Sequence, residues 1–515
     1  MRTSLGDVAD VIDAARVLYA DEPATTALLD GYDGRLREPL RLAIAGIVKA
    51  GKSTLLNALI GERIAPTDAG ECTRAITWYR HAPTARITMH RLDGSSVRLP
   101  VRRTDGRLEL DLGGTSAEDV AWIDVGWPSE SLRSTILIDT PGIASLTREN
   151  SARSMQFLLP ENSPSAADAI VYLLRHVHSS DVRFLEAFRD TAAGASQTVN
   201  AVAVLSRADE IGSGRIDSLL SAASIADRYR RDGELRALAL GVLPVAGLLA
   251  EGARTLRESE FIALRELAGL DRAARERLLV SVDRFVRPTG DSSLSIPVRE
   301  NLLHRFGLFG VRLAAALIRG GATTSSALSE RLVQQSGMVG LQEFLVEHFR
   351  QRAVALKARG VLQGVEQLVR ERPRPGADAV LGGIERITAR SHELRELGLL
   401  AELRTSPVSL TAADAAEAER VLGGVGTSSA ARLGLPESAG RAERDARVAA
   451  LLAHWRGLSE SPLADRYTAH LCRMVVRSVE GVAAEAAGSS RPSVEGAGAG
   501  AAHVVLAGGP AQGAR

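Results

Sequence analysis

Over the first forty residues the apolar positions recur at helical spacing. Val8, Val11, Ile12 and Ala15 form one stripe, and Leu28 and Leu36 mark a second helix. Leu42 to Ala45 is then a short apolar run closed by glycine, as in a buried strand. Beyond it strand-like and helix-like runs alternate. Residues 136–139 (ILID), 169–174 (AIVYLL), 199–206 (VNAVAVLS) and 240–246 (LGVLPVA) are continuously apolar, as expected of strands covered on both faces. Their alternation with helical patterns predicts an α/β fold, a mostly parallel sheet with helices on both sides. Residues 85–92, 97–103 and 108–112 alternate more loosely and predict antiparallel edge strands inserted before Ile136. Residues 64–81 read as a polar loop leading into a further edge strand.

From about Ala250 the pattern turns helical almost throughout. Residues 336–373 read as one long helix with Leu341, Leu345, Phe349, Ala353 and Leu356 along one stripe, ended by PRPG. Arg350, Arg352, Lys357 and Arg359 then form its solvated face. Further helices are predicted at 378–403, 412–422, 441–457 and 462–485, with Thr411 and Asp414 as a capping pair. The run Phe306–Gly321 is apolar but interrupted by Arg312 and Arg319, which argues against a membrane-spanning helix. Two readings stay open for it: an interfacial helix on a bilayer, or a packed helix between domains. After Ala487 the chain is rich in Gly, Ala and Ser with little to bury. The organisation expected is N-terminal helices (1–40) packing with the helical part, an α/β domain (41–250), an α-helical stalk or bundle (251–487), and a disordered tail (488–515).

Composition narrows the class. The net charge is +1 and aromatics make up 4% of residues, so neither a general field nor stacking platforms point to nucleic acid. The two cysteines, Cys72 and Cys472, are far apart and build no disulfide framework or zinc pattern. A reducing, cytoplasmic setting fits. The N-terminus is acidic and amphipathic, which does not match a secretory signal. The 63 basic side chains include only three lysines, and two of them, Lys49 and Lys52, fall within four residues.

Those two lysines lie in GIVKAGKST, which fits G-x-x-x-x-G-K-S with a strand before it and a helix after it. This is the pattern of a phosphate-binding loop, Gly46, Lys49, Ala50, Gly51, Lys52, Ser53 and Thr54. Its glycines let backbone N–H groups converge on phosphate, and the helix start adds its dipole. Lys52 is a compact ammonium able to sit between phosphates where a guanidinium is too wide. Ser53 can ligate Mg²⁺. Three later stretches narrow the nucleotide. In ILIDTPG, Asp139 ends a strand and can hold the Mg²⁺ shell, while the Gly142 N–H can feel the γ-phosphate. In SRAD, Asp209 can accept both N–H donors of guanine. Ser206 precedes Arg207, whose stem can cover the base. In the polar loop, Thr73 can ligate Mg²⁺ and contact the γ-phosphate, with Thr67 as a rival. In VAG, Ala246 is placed for backbone contact to the guanine carbonyl. GTP and Mg²⁺ are the ligands expected, with Lys52 and Thr73 in catalytic roles.

Together these residues resemble the GTPase domain of the dynamin superfamily, through GIVKAGKS, the CT of the first switch loop, DTPG and SRAD. The fuller wording is similar to bacterial dynamin-like proteins, and within them to the actinobacterial isoniazid-inducible protein C type. That likeness is shared in IAPTDA, SRADEIG, SVDRFVR, HRFGLFG and GTSSAARLGL. It spans most of residues 30 to 480. The resemblance implies a GTPase that pairs through its GTPase domains when nucleotide is bound. It also implies a paralogous dynamin-like partner, contact with anionic lipid at the inner face of the plasma membrane, and a role in cell-envelope stress. Two positions depart from the family pattern. Gln and Ser usually stand where this chain has Val48 and Lys49. The Gln orients the attacking water, which Val48 cannot do. The alternative reading is therefore a GTP-binding scaffold that does not hydrolyse and partners a paralogue.

Overall fold

Among the described residues, eleven strands lie along the first half of the chain: β1 (Leu40–Gly46), β2 (Thr77–His81), β3 (Arg86–Arg91), β4 (Ser96–Leu99), β5 (Arg102–Thr104), β6 (Arg107–Glu109), β7 (Val120–Trp127), β8 (Thr135–Asp139), β9 (Ala169–Leu174), β10 (Ala201–Ser206) and β11 (Gly241–Val245). The computed structural model describes residues 3–67, 75–104, 106–142, 157–158, 166–190, 198–231, 234–405 and 408–488. Thr73, Cys72 and nearly all of the predicted tail lie outside the described residues. Nine strands form one sheet in the order β11-β10-β9-β1-β8-β2-β7-β3-β4, and β5 with β6 make a separate hairpin. The β11-β10-β9-β1-β8 run is parallel, and β2 joins it antiparallel through β8.

The continuous apolar runs read from the sequence are explained by two-sided burial. In β1, Leu42 and Ile44 enter one core while Ala43 and Ala45 enter another on the opposite face. In β9, Val171 and Leu173 face the first core, and Ile170, Tyr172 and Leu174 the second. Each strand therefore needs apolar residues at every position, which hides its period of two.

Several expectations change. The strand after the polar loop is β2, and it lies inside the sheet between β8 and β7 rather than at an edge. The predicted 97–103 strand is two strands, broken at Pro100, which has no N–H to give a ladder. The 108–112 run contributes only to the β5–β6 hairpin. Strand β7 pairs parallel with β2.

The helical half differs in detail. The long helix predicted for 336–373 is interrupted. An α-helix runs Met338–Phe344, a π-helical turn follows at Leu345–Arg350, and a second helix covers Ala353–Glu371. The predicted 378–403 helix breaks at Ser391 into Ala377–Arg390 and His392–Thr405. Of the four basic residues expected on the solvated face of the 336–373 stretch, only Arg350 is exposed. Lys357 is 7% exposed, and its ammonium donates to the Leu36 and Glu38 carbonyls at 2.9 and 2.8 Å. Arg352 donates to the carbonyls of Leu422 and Gly423. Burial brings the Arg359 guanidinium down to about 10.

The two N-terminal helices, Leu5–Leu18 and Pro23–Arg37, pack against Ala353–Glu371 and Ala377–Arg390. Tyr19 donates its hydroxyl to the Arg372 carbonyl at 2.5 Å. A buried pair, Arg35 and Asp168 at 2.6 Å, ties the second helix to the start of β9. Asp168 also accepts from the Arg41 N–H at 2.8 Å. Thr411 caps its helix by accepting from the Asp414 N–H, as predicted.

The apolar run at 306–321 belongs to the helix Ile296–Arg319, one long and apolar enough to cross a membrane by length and composition alone. Its apolar side is occupied by protein: Phe306, Phe309 and Val311 are buried. Arg305 is paired with Glu260 at 2.8 Å, both 4% exposed. The helix is packed against protein along this side, while Leu313 and Leu317 stay half-buried.

Candidate functional site

Strands β1 and β8 run side by side in parallel with Ile44 opposite Asp139, so the phosphate loop and DTPG leave the sheet together. Two glycines shape the loop. Gly46 has φ +144°, and a Cβ there would lie 2.3 Å from the Leu173 carbonyl oxygen. Gly51 has φ +93° and caps the helix Lys52–Ile60 in the left-handed region that favours glycine. Lys49 is also left-handed, at φ +62°.

Lys52 folds back over the loop. Its buried ammonium donates to the carbonyls of Gly46 and Ile47, both at 3.1 Å. Burial pulls its pKa down, and the Asp139 carboxylate opposes this. Ser53 donates its hydroxyl to Asp139 Oδ2 at 2.7 Å. Asp139 Oδ1 is buried without a hydrogen-bond partner. Burial pushes the Asp139 carboxyl above its usual range, against the pull of Lys52 and Ser53. A hydroxyl and a carboxylate with one orphaned oxygen suit a hard cation that also takes phosphate oxygens. Thr140 anchors the end of β8, its hydroxyl donating to the Ile44 carbonyl at 2.9 Å. Gly142 then passes against Val48. A Cβ on Gly142 would lie 2.5 Å from a Val48 methyl, so the two loops touch there.

A pocket of about 150 Å³ opens beside the loop. The phosphate loop gives it Ala50, Gly51 and Thr54, the sheet gives Leu173, Val204 and Val245, and the SRAD loop gives Ser206, Arg207, Asp209 and Glu210. Asp209 is 7% exposed, and burial raises its pKa. Arg207 is left-handed at φ +51°. Its guanidinium donates to Glu210 at 2.8 Å and to the Lys49 carbonyl at 3.0 Å, joining the two loops. Ser206 donates to the Leu174 carbonyl at 3.1 Å.

The Ala246 N–H is already engaged within the chain. It donates to the Ser336 carbonyl at 2.9 Å, and the Ala246 side chain is fully buried. Gly247 and Leu248 line the pocket in its place. Gly247 belongs to the VAG named in the sequence; Leu248 was not singled out. Asn57 was also missed. Its side chain is buried and accepts from the N–H groups of Ile64 and Ala65 at 2.9 and 2.7 Å, fastening the polar loop to the phosphate-loop helix. One polar residue inside TLLNALI was its signal. Thr67 is exposed, the last described residue before the gap that holds Thr73.

A glycine loop on a helix N-terminus, a lysine, a serine and a strand-end aspartate beside a separate carboxylate-lined pocket define a phosphate-loop protein of the GTPase class. Residues 42–192 match the family model described as the Dynamin family. The Isoniazid-induced protein IniC of Mycobacterium tuberculosis (strain H37Rv) is 42% identical over 458 residues, which cover 89% of this chain and 92% of that protein. The Isoniazid-induced protein IniA of the same organism is 36% identical over 146 residues, 27% of this chain and 21% of that protein. The Bacterial dynamin-like protein of Nostoc punctiforme is 29% identical over 156 residues, 27% of this chain and 22% of that protein. The chain belongs to the bacterial dynamin-like family, of the IniC type.

Proposed function

We propose that this chain binds GTP with Mg²⁺ and hydrolyses it, using residues 41–250 as the catalytic unit. The observation that carries this is the meeting of Lys52, Ser53 and Asp139 at the ends of two adjacent parallel strands, with Asp209 in a pocket beside the same loop. Lys52 would exchange its two loop carbonyls for phosphate oxygens and hold the developing charge. Ser53 and the free oxygen of Asp139 would hold the cation, which neutralises the phosphates when bound. Asp209 would accept from the N1 and N2 groups of guanine, and Arg207 would cover the base with its stem. Thr73, outside the described residues, would complete the metal shell. The family resemblance supports the wider parts of this reading: nucleotide-dependent pairing of GTPase units, a paralogous dynamin-like partner, and anionic lipid at the cytoplasmic face of the plasma membrane.

A second reading, a GTP-binding scaffold without turnover, is favoured by one observation. The residue touching Gly142 is Val48, which has no group to orient water. Phosphate release from GTP separates the two. The protein is titrated with and without anionic vesicles, with ATP and Lys52→Ala as controls. A GTP-selective rate that rises with protein or vesicles and disappears in Lys52→Ala supports the enzyme. Tight GTP binding with no release under any of these conditions supports the scaffold.

A further inference from the structure

The helix Ile296–Arg319 does more than fill space behind the sheet. It is kinked at Gly307, whose backbone is left-handed (φ +65°, ψ 170°). The kink lies against the base pocket. A Cβ on Gly307 would meet Leu248 Cδ2 at 3.7 Å and Asp209 Oδ2 at 3.9 Å. Two more glycines seat the same helix on Gly247–Arg254, the helix that follows β11. A Cβ on Gly252 would fall 2.6 Å from the Arg305 carbonyl oxygen, and one on Gly310 would fall 3.1 Å from Leu249. One turn beyond the kink, Arg312 donates to the Gly214 carbonyl at 2.8 Å, in the stretch that continues from Asp209. The same guanidinium holds the carbonyls of Leu279 and Val280 at 2.6 and 3.0 Å. The helix thus grips both segments that line the base side of the pocket.

We propose that this helix backs the base site, with Gly307 and Arg312 as positioning residues for Asp209. The inference rests on the reading that Asp209 recognises guanine. The physical argument is one of space and leverage. Asp209 is nearly buried, and Gly307 stands behind its carboxylate. The direction of its carboxylate therefore depends on what stands behind it. Gly307 supplies a backbone without a side chain there, and Arg312 fixes the far end of the loop through Gly214. A methyl at residue 307 would only touch Leu248 and Asp209, but it strains a backbone at φ +65°, and relief of that strain shifts the kink on which both residues rest. Loss of the Arg312 guanidinium frees the loop from the opposite end. Either change turns the carboxylate away from the base edge and leaves the phosphate contacts in place.

The test compares the affinities of the full-length protein for GTP and for inosine triphosphate, which lacks the exocyclic amino group. A hydrogen bond to a carboxylate makes the wild-type preference for GTP roughly tenfold or more. In Asp209→Ala that preference should vanish. In Gly307→Ala and Arg312→Gln it should fall severalfold, GTP losing more affinity than inosine triphosphate, which has only its N1–H contact to lose. A purely structural helix would instead lower both affinities in parallel. Retention of the wild-type preference in both helix variants, alongside its loss in Asp209→Ala, overturns the proposal and spares the base reading. If Asp209→Ala itself keeps the preference, the base reading fails and takes the inference with it. Should Gly307→Ala not fold, Arg312→Gln decides alone.

Discussion

Replacing Lys357 by methionine tests how the N-terminal helices are held. The ammonium is nearly buried and bridges two carbonyls, Leu36 and Glu38, at the end of the helix Pro23–Arg37. Both belong to the helix terminus, where carbonyls have no intrahelical donor. A hydrogen bond from a charged donor contributes about 1.5–3 kcal/mol net, and an orphaned buried carbonyl costs about 1–3 kcal/mol. Against this stands the cost of burying the ammonium, which lowers its pKa and is aggravated by the neighbouring Arg35. Methionine keeps the stem and its packing but removes both donors. The net expectation is about 2–4 kcal/mol lost from the docking of the N-terminal helices, or roughly 30- to 1000-fold in their opening equilibrium. Amide hydrogen exchange across residues 23–37 reads this directly, since exchange there should accelerate by that factor while β1, β9 and β10 keep their protection. Lys357→Arg should open the helices too, because a planar fork crowds Arg35 and suits two converging carbonyls poorly. Unchanged exchange in residues 23–37, or acceleration spread evenly over the sheet, would refute the reasoning.

Two further outcomes follow from the phosphate site. Because burial holds the Asp139 carboxyl above its ordinary range, acidification should neutralise it sooner than a surface aspartate. Mg²⁺-dependent nucleotide affinity should then fall as pH drops through that raised value, by up to about tenfold per pH unit; calorimetric titration across pH 7 to 5 checks this, and a flat profile sinks it. Val48→Gln places a hydrogen-bonding group against Gly142 and should raise single-turnover GTP hydrolysis by about 10²-fold or less, the lower range for one positioned catalytic group; an unchanged rate with normal GTP affinity would show that position 48 does not govern water orientation.

Most of the chemistry could be read from the chain because it is local. GIVKAGKS, DTPG and SRAD each sit where a strand ends, and a parallel sheet delivers strand ends to one edge. What escaped the reading depends on distant partners. Ala246 looked available until Ser336, ninety positions later, took its N–H. Lys357 looked solvated because its spacing said nothing about helix ends more than three hundred residues upstream. The π-helical turn at Leu345–Arg350 is invisible to periodicity, since one inserted residue shifts the stripe without removing it. The kink at Gly307 was hidden inside a run that reads as continuous helix. In each case the deciding contact is made by a residue whose neighbours in sequence carry no trace of it.

The hydroxyl of Tyr19 meets its acceptor, the Arg372 carbonyl, across 353 positions of chain. On a translating ribosome, at about 5–20 residues per second, the first two helices would wait roughly 20–70 s for the partners that bury them. During that interval the whole nucleotide-binding sheet can emerge and fold. The exposed stripe of Val8, Val11, Ile12 and Ala15 is then a natural client for a chaperone that binds nascent apolar helices. Synthesis order therefore brings out the strands of the nucleotide-binding sheet early and makes the closing of the core they share with the helices a late event, which joins the first two helices to partners made far later.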